Sequence, residues 1–281
     1  MPRRSVLFSP GDRPELLRKA ADTDADVLVF DLEDAVAPGR KAEARSAVAS
    51  VLSDPSFDPD AEVCVRLSGI DLSADLEAIC DPANRLDALM CSKVGGVSDV
   101  RSIDRECETR DRRLPIYALI ETAAGVLAAE SIAAAEATTA LVFGAEDFAA
   151  DVGADRTDEG TEVLYAREHV VVAAAAAGVD AIDTVYTDFE DREGLAADTE
   201  FAATLGYDGK LAIHPAQVSV INDAFTPEPE RIEWARRVLQ AREEAAVDDR
   251  GVFEVDGEMI DAPLIAQAER ILDRAGVDRS S

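Results

Sequence analysis

A chain of 281 residues that is 47% hydrophobic can bury a sizeable core, and 58 acidic against 28 basic residues leave it with a net charge of −30. That balance excludes a nucleic-acid binder, because no basic stripe is available for phosphates, and the regular apolar runs exclude an acidic disordered chain. Its only lysines are Lys19, Lys41, Lys93 and Lys210, and a folded, acidic, lysine-poor, alanine-rich protein points to a high-salt cytoplasm in which carboxylate repulsion is screened.

In chain order one unit repeats. SVLFSP (5–10) reads as a strand, followed by the turn GDR and a helix from Pro14, where proline suits a first helical turn. DVLVFDLED (26–34) is a strand, followed by a helix from about Lys41 to Leu52. EVCVRLSG (62–69) precedes a helix near 72–80, and ALMCSKVG (88–95) precedes a polar helix reaching Arg110. PIYALIET and ALVFGAED are the fifth and sixth apolar runs, with alanine-rich residues 124–137 between them as the crossover helix. Residues 163–177 form the next helix, DAIDTVYTD (180–188) the seventh strand with a helix near 193–205, and KLAIHPAQ (210–217) the eighth strand with a helix from about Ser219. Beyond it come a helix near 229–245, the acidic link VDDRG and the amphipathic segment FEVDGEMIDAPLIAQAERIL.

Cys64, Cys80, Cys91 and Cys107 have no C-x-x-C spacing, so reduced core thiols are expected rather than disulfides or a zinc site. No secretory leader opens the sequence and no run approaches the roughly 18 apolar residues of a membrane span, so a cytoplasmic location with no membrane partner is expected.

Eight strand–helix units without a break predict an α/β fold, a (β/α)8 TIM barrel over residues 1–226, with a C-terminal helical extension over 227–281. A doubly wound sheet competes, but SPGDRPE lacks the glycine-rich first turn of that fold. Barrel sites lie at the carboxyl ends of the strands, and those positions hold Asp12, Arg13, Asp31, Glu33, Arg66, Lys93, Glu121, Asp147, Asp188 and His214. Glu121 and Asp147 end neighbouring runs, so their carboxylates are expected to converge on one hard cation, Mg²⁺, completed by water and substrate oxygens. His214, followed by Pro215, is equally a base or an orienting residue, whereas His169 on an apolar helix is expected to be structural.

RSVLFSPGDRPE, VFDLEDAV followed by Lys41 and Arg45, Arg66, IET at 120–122, GAEDFAADVG, AIHPAQV, TPEPERIEWARRVL and GEMIDAPLIAQA carry a resemblance to the citrate lyase β-subunit-like branch of the HpcH/HpaI aldolase family, which includes malyl-CoA and citramalyl-CoA lyases. The resemblance spans almost the whole chain. It implies Glu121 and Asp147 as Mg²⁺ ligands, Glu121 also bordering the substrate, and Arg66 as the group holding the substrate carboxylate. It also implies Asp261 as an acid/base delivered from a neighbouring subunit of a homotrimer or hexamer. Asp31 and Glu33 are expected behind the metal, and Arg13 and Lys41 against CoA phosphates. The chain departs from the family at Ser68, Ser92 and Ala124, where asparagine, proline and arginine are common. The implied activity is Mg²⁺-dependent, reversible carbon–carbon cleavage of a carboxylated 3-hydroxyacyl-CoA to a keto acid and an acyl-CoA. A malyl-CoA-type thioesterase, or a citrate lyase β subunit acting on a carrier-bound citryl thioester, is the alternative.

Overall fold

The computed structural model of the chain describes residues 2–247 and 252–276. Residues 248–251, most of the predicted acidic link, and 277–281 lie outside the described residues. Two compact units are present, Arg3–Asn222 and, from Asp223 onward, a C-terminal unit, so the division falls before the expected boundary at 226 and inside a helix.

The first unit alternates strands and helices: β1 (Ser5–Pro10), α1 (Pro14–Ala20), β2 (Val27–Asp31), α2 (Lys41–Leu52), β3 (Glu62–Arg66), α3 (Leu72–Ile79), β4 (Ala88–Cys91), α4 (Val97–Glu108) and β5 (Ile116–Ile120). It continues through α5 (Ala123–Leu127), α6 (Ala129–Ala133), β6 (Thr138–Phe143), α7 (Ala145–Val152), α8 (Leu164–Ala177), β7 (Asp180–Asp183), α9 (Arg192–Leu205), β8 (Gly209–Ala212) and α10 (Pro215–Phe225). Strands β1 to β8 form a closed barrel of parallel neighbours, sealed where Ser5, Val6 and Leu7 pair with Lys210, Leu211 and Ala212. The TIM-barrel architecture expected from the repeat is therefore present. Its strands are continuous apolar runs because both faces are covered: Val27, Leu28, Val29 and Phe30 are all fully buried. Val27 and Val29 join Val6, Met90, Leu119 and Val142 in one core cluster, and the period of two turns Leu28 and Phe30 the other way.

At the amino ends of the strands Arg3 ties Glu62 and Asp180 at 2.8 Å, and Arg4 ties Asp26 at the same distance, the arrangement of a stabilising floor. Between β7, β8 and the helices, the fully buried Lys210 ammonium lies 2.6 Å from both Asp183 and Asp198, and Arg167 donates to the same two carboxylates. All four cysteines are free and buried, as expected.

Three local expectations are corrected. The crossover helix predicted over 124–137 is two short helices interrupted at Ala128, whose φ of −108° and ψ of 4° leave the helical well; alanine favours helix but does not fix a continuous axis. The seventh strand stops at Asp183, and just beyond it the Thr184 hydroxyl accepts from the Ala145 N–H. The sixth stops at Phe143, so Glu146 and Asp147 belong to the first turn of α7.

The C-terminal unit holds α11 (Pro229–Val247), a hairpin of β9 (Phe253–Val255) and β10 (Glu258–Ile260), and α12 (Ala262–Arg274). Asp256 and Gly257, with φ of 54° and 84°, make its two-residue turn, a left-handed pair that a hairpin of this length requires. Ala235 and Val238 of α11 pack with Ala268, Ile271 and Leu272 of α12, giving the unit a core of its own. None of the helices in the described residues is long and apolar enough to cross a membrane.

Candidate active site

Past the strand ends the backbone stays stitched together, with Leu32 N–H on the Arg66 carbonyl at 2.9 Å and Gly144 N–H on the Ile120 carbonyl at 3.1 Å. Above this rim opens a cavity of about 540 Å³ whose lining includes Phe8, Asp31, Arg66, Glu121, Asp147 and Thr184. The structure thus gathers Asp31, Arg66, Glu121 and Asp147 in one chamber.

Glu121 follows β5 and is only 3% exposed. It fits there because residue 144 is glycine: a Cβ at Gly144 would stand 2.8 Å from the Glu121 Cβ and 2.9 Å from its Oε2. The Lys93 N–H donates to Glu121 Oε1 at 2.8 Å. Burial above all, with the Glu33 and Asp147 charges adding to it, pushes the Glu121 carboxyl up to about 8, against the opposing pull of that N–H. Asp147 is half-buried, presented by the first turn of α7, which Thr184 anchors through its 3.0 Å bond from Ala145 N–H.

Arg66 ends β3, 8% exposed, with its guanidinium 4.9 Å over the Phe8 ring. Burial opposes its charge, but Asp31 takes it bidentately, Nε to Oδ1 at 2.7 Å and Nη2 to Oδ2 at 2.6 Å, and the guanidinium is held protonated. Asp31 is itself fixed by the Glu33 and Ala35 N–H groups. Nη1 is the remaining edge, shared between Glu33 and Asp34, each at 3.2 Å. Asp31 therefore supports Arg66, while Glu33 also meets the Ser92 hydroxyl and the Lys93 ammonium.

The other predicted residues lie elsewhere. Lys41 is buried, its ammonium donating to the main-chain carbonyls of Leu32, at 2.7 Å, and Glu33, so the charge faces inward instead of toward a ligand phosphate. The Arg13 side chain is exposed 3.9 Å from Asp12, which Arg40 also holds at 2.5 Å. Asp261 sits in the C-terminal unit, exposed, capping α12 by accepting from the Leu264 N–H at 3.4 Å. His214 is exposed; its Nδ1 accepts from the Ala216 N–H and its ring stacks on Phe189. Asp188 accepts from Glu190 N–H in a loop outside the ladder. His169 stacks on Tyr165, its Nε2 3.3 Å from Glu130. Sequence reasoning assigned no role to Thr184, taken as strand, to Gly144, or to Lys93 beyond its place at a strand end; only the glycine before an acidic helix start is a signal that could have found one of them.

The donor set suits a hard, oxygen-seeking cation. Glu121 and Asp147 bring carboxylate oxygens, the cavity lining contains no histidine or cysteine, and Gly144 leaves the Glu121 carboxylate its space. Among the described residues no group of three or more His, Cys, Asp or Glu side chains forms a full protein cage, so water and substrate would complete the shell.

The family model HpcH/HpaI aldolase/citrate lyase matches residues 4–215. The chain is 36% identical to mitochondrial citramalyl-CoA lyase of Mus musculus, over 98% of this chain and 86% of that protein. It is 38% identical to a citrate lyase subunit beta-like protein of Deinococcus radiodurans, over 96% of each. Among solved structures, CitE of Mycobacterium tuberculosis in complex with magnesium, acetoacetate and coenzyme A aligns with a TM-score of 0.79 at 35% identity, covering 98% of both chains. The citrate lyase beta subunit of the same organism, complexed with oxaloacetate and magnesium, aligns with a TM-score of 0.70 at 34% identity, over 80% of this chain and 98% of that one. A closed parallel barrel, an acidic pair beside an arginine at its carboxyl rim and a match over most of the sequence lead to one conclusion: the chain belongs to the HpcH/HpaI aldolase/citrate lyase family.

Proposed function

We propose that the chain is a Mg²⁺-dependent carbon–carbon lyase acting on CoA thioesters, cleaving a carboxylated 3-hydroxyacyl-CoA of the malyl, citramalyl or citryl type to a keto acid and an acyl-CoA. The observation that carries this is the chamber that Glu121, Asp147 and Arg66 line together. Relatives at 33–38% identity named citramalyl-CoA lyase, citrate lyase subunit beta and citrate lyase subunit beta-like protein support the reaction class.

Glu121 and Asp147 would hold Mg²⁺, which when bound supplies Lewis-acid polarisation of the substrate oxygens. Arg66 binds the carboxylate of the acid half through its Nη1 edge, where that carboxylate takes the place of the exposed Asp34 carboxylate, while Asp31 keeps the planar fork in register and Phe8 supports its face. Fixing that carboxylate orients the bond to be broken. As the substrate hydroxyl gives its proton to a base and becomes the keto oxygen, the bond breaks and its electrons move onto the carbon beside the thioester; Asp261 from a neighbouring subunit is the acid assigned to protonate that carbon. The same aspartate removes the proton in the condensation direction.

The test supplies malyl-, citramalyl-, β-methylmalyl- and citryl-CoA with Mg²⁺ in molar KCl and follows keto acid and free thiol separately. Keto-acid release without free thiol is expected. Free thiol without keto acid would make the protein a thioesterase and overturn the lyase assignment. A parallel assay supplies a citryl thioester on an acyl carrier protein, and turnover there with none of the four CoA thioesters would make the protein a subunit of a larger complex.

A further inference from the structure

Lys93, just past β4, has φ of 53°, a left-handed conformation uncommon for residues other than glycine, asparagine and aspartate. The surroundings explain why it is held there. In that conformation its N–H meets Glu121 Oε1 at 2.8 Å while its ammonium lies 3.1 Å from Glu33 Oε1 and 3.8 Å from Asp147 Oδ2. One residue thus pairs with three carboxylates, Glu33 and the two assigned metal ligands that line the chamber. Arg66 is the other cation facing Glu33, but Asp31 clamps it and its side chain is only 10% exposed. The Lys93 side chain is 53% exposed on a flexible stem, so it is the charge that is free to move.

We propose that Lys93 is a tethered counter-ion of the metal site. In the metal-free chain its ammonium balances Glu33 and Asp147. When a divalent cation takes Asp147, the ammonium gives way and keeps Glu33, and the main-chain N–H holds Glu121 Oε1 in both states. Lys93 is then a positioning residue through its backbone and a competitor of the metal through its side chain. The inference rests on the assignment of Glu121 and Asp147 as the ligands.

The experiment titrates Mg²⁺ calorimetrically into the EDTA-treated full chain and compares the wild type with Lys93→Met and Lys93→Gly. Both variants lose the competing charge and keep the amide, and glycine also relieves the left-handed backbone. Affinity is expected to tighten about tenfold in both, since a unit charge a few ångströms from the cation is removed. The metal-free melting temperature of Lys93→Met should fall below the wild type, and saturating Mg²⁺ should close that gap. Unchanged or weaker Mg²⁺ affinity in both variants overturns the proposal, as a lysine that serves only substrate anions would give. Asp147→Asn serves as the separate control: if it binds Mg²⁺ like the wild type, the ligand assignment has failed, whatever the Lys93 variants show.

Discussion

Glu121 is a carboxyl group almost without solvent, and burial, followed by the Glu33 and Asp147 charges, pushes it up to about 8, so at neutral pH the metal-free side chain is mostly protonated. A divalent cation takes the deprotonated form, and binding must therefore displace a proton. Apparent Mg²⁺ affinity should rise about tenfold between pH 6 and 7, less between 7 and 8, and level off above that. Calorimetry in buffers of different ionisation enthalpy reads both quantities; an affinity flat across this range with no proton release would show that Glu121 binds no metal. The sign for folding is the opposite. Between the ordinary carboxyl value of 4.5 and the folded value of about 8 the folded chain holds more protons than the unfolded one, so Glu121's contribution to metal-free stability falls as pH rises. Lys93 shows what residue identity hides. Nothing in C-S-K-V announces a left-handed lysine, because that conformation is selected by the carboxylates around it and not by local propensity.

At the scale of elements the barrel was readable because parallel strands covered on both faces must be short apolar runs, and all eight were visible as such. What hydrophobicity does not mark is where a ladder ends. ALVFGAED reads as one run, yet the strand ends at Phe143, Gly144 makes one last bond to the Ile120 carbonyl where a side chain would collide with Glu121, and the chain turns there into α7. Asp147 therefore reaches the chamber from a helix start, where a carboxylate also meets the favourable end of the helix dipole. Thr184 lies just beyond β7 and anchors the start of α7. Lys41 illustrates the opposite failure: a basic residue after VFDLEDAV looked available for phosphate, but two rim carbonyls needed a donor and took its ammonium. Lys210 was only one of four lysines in the sequence, and its burial with Asp183, Asp198 and Arg167 depends on α8 and α9 folding over β7 and β8, which no local pattern encodes.

Across the whole molecule, a net charge of −30 on 281 residues makes the folded state repel itself, and screening should relieve that. The melting temperature is expected to rise with KCl into the molar range; a flat or falling curve would assign the acidity another cause. Mixed-subunit experiments should be run under the salt that proves stabilising, since they ask whether Arg66 and Asp261 serve one reaction. Arg66 lies in the barrel unit and Asp261 in the C-terminal unit, which has its own core in α11 and α12 and presents Asp261, exposed, at the first turn of α12. If Asp261 only capped that helix, Asp261→Ala would lower stability by about 1 kcal/mol and leave chemistry intact. If instead it completes the site of a neighbouring chain in a cyclic oligomer, Asp261→Ala and Arg66→Ala are each inactive alone, but a mixture regains activity. In an equal mixture half the barrels keep Arg66 and half the neighbouring tails keep Asp261, so about a quarter of the sites are whole. Keto-acid release at roughly that fraction of the wild-type rate is the expected result. Mixed oligomers that assemble from folded variants and stay inactive would confine Asp261 to its capping role.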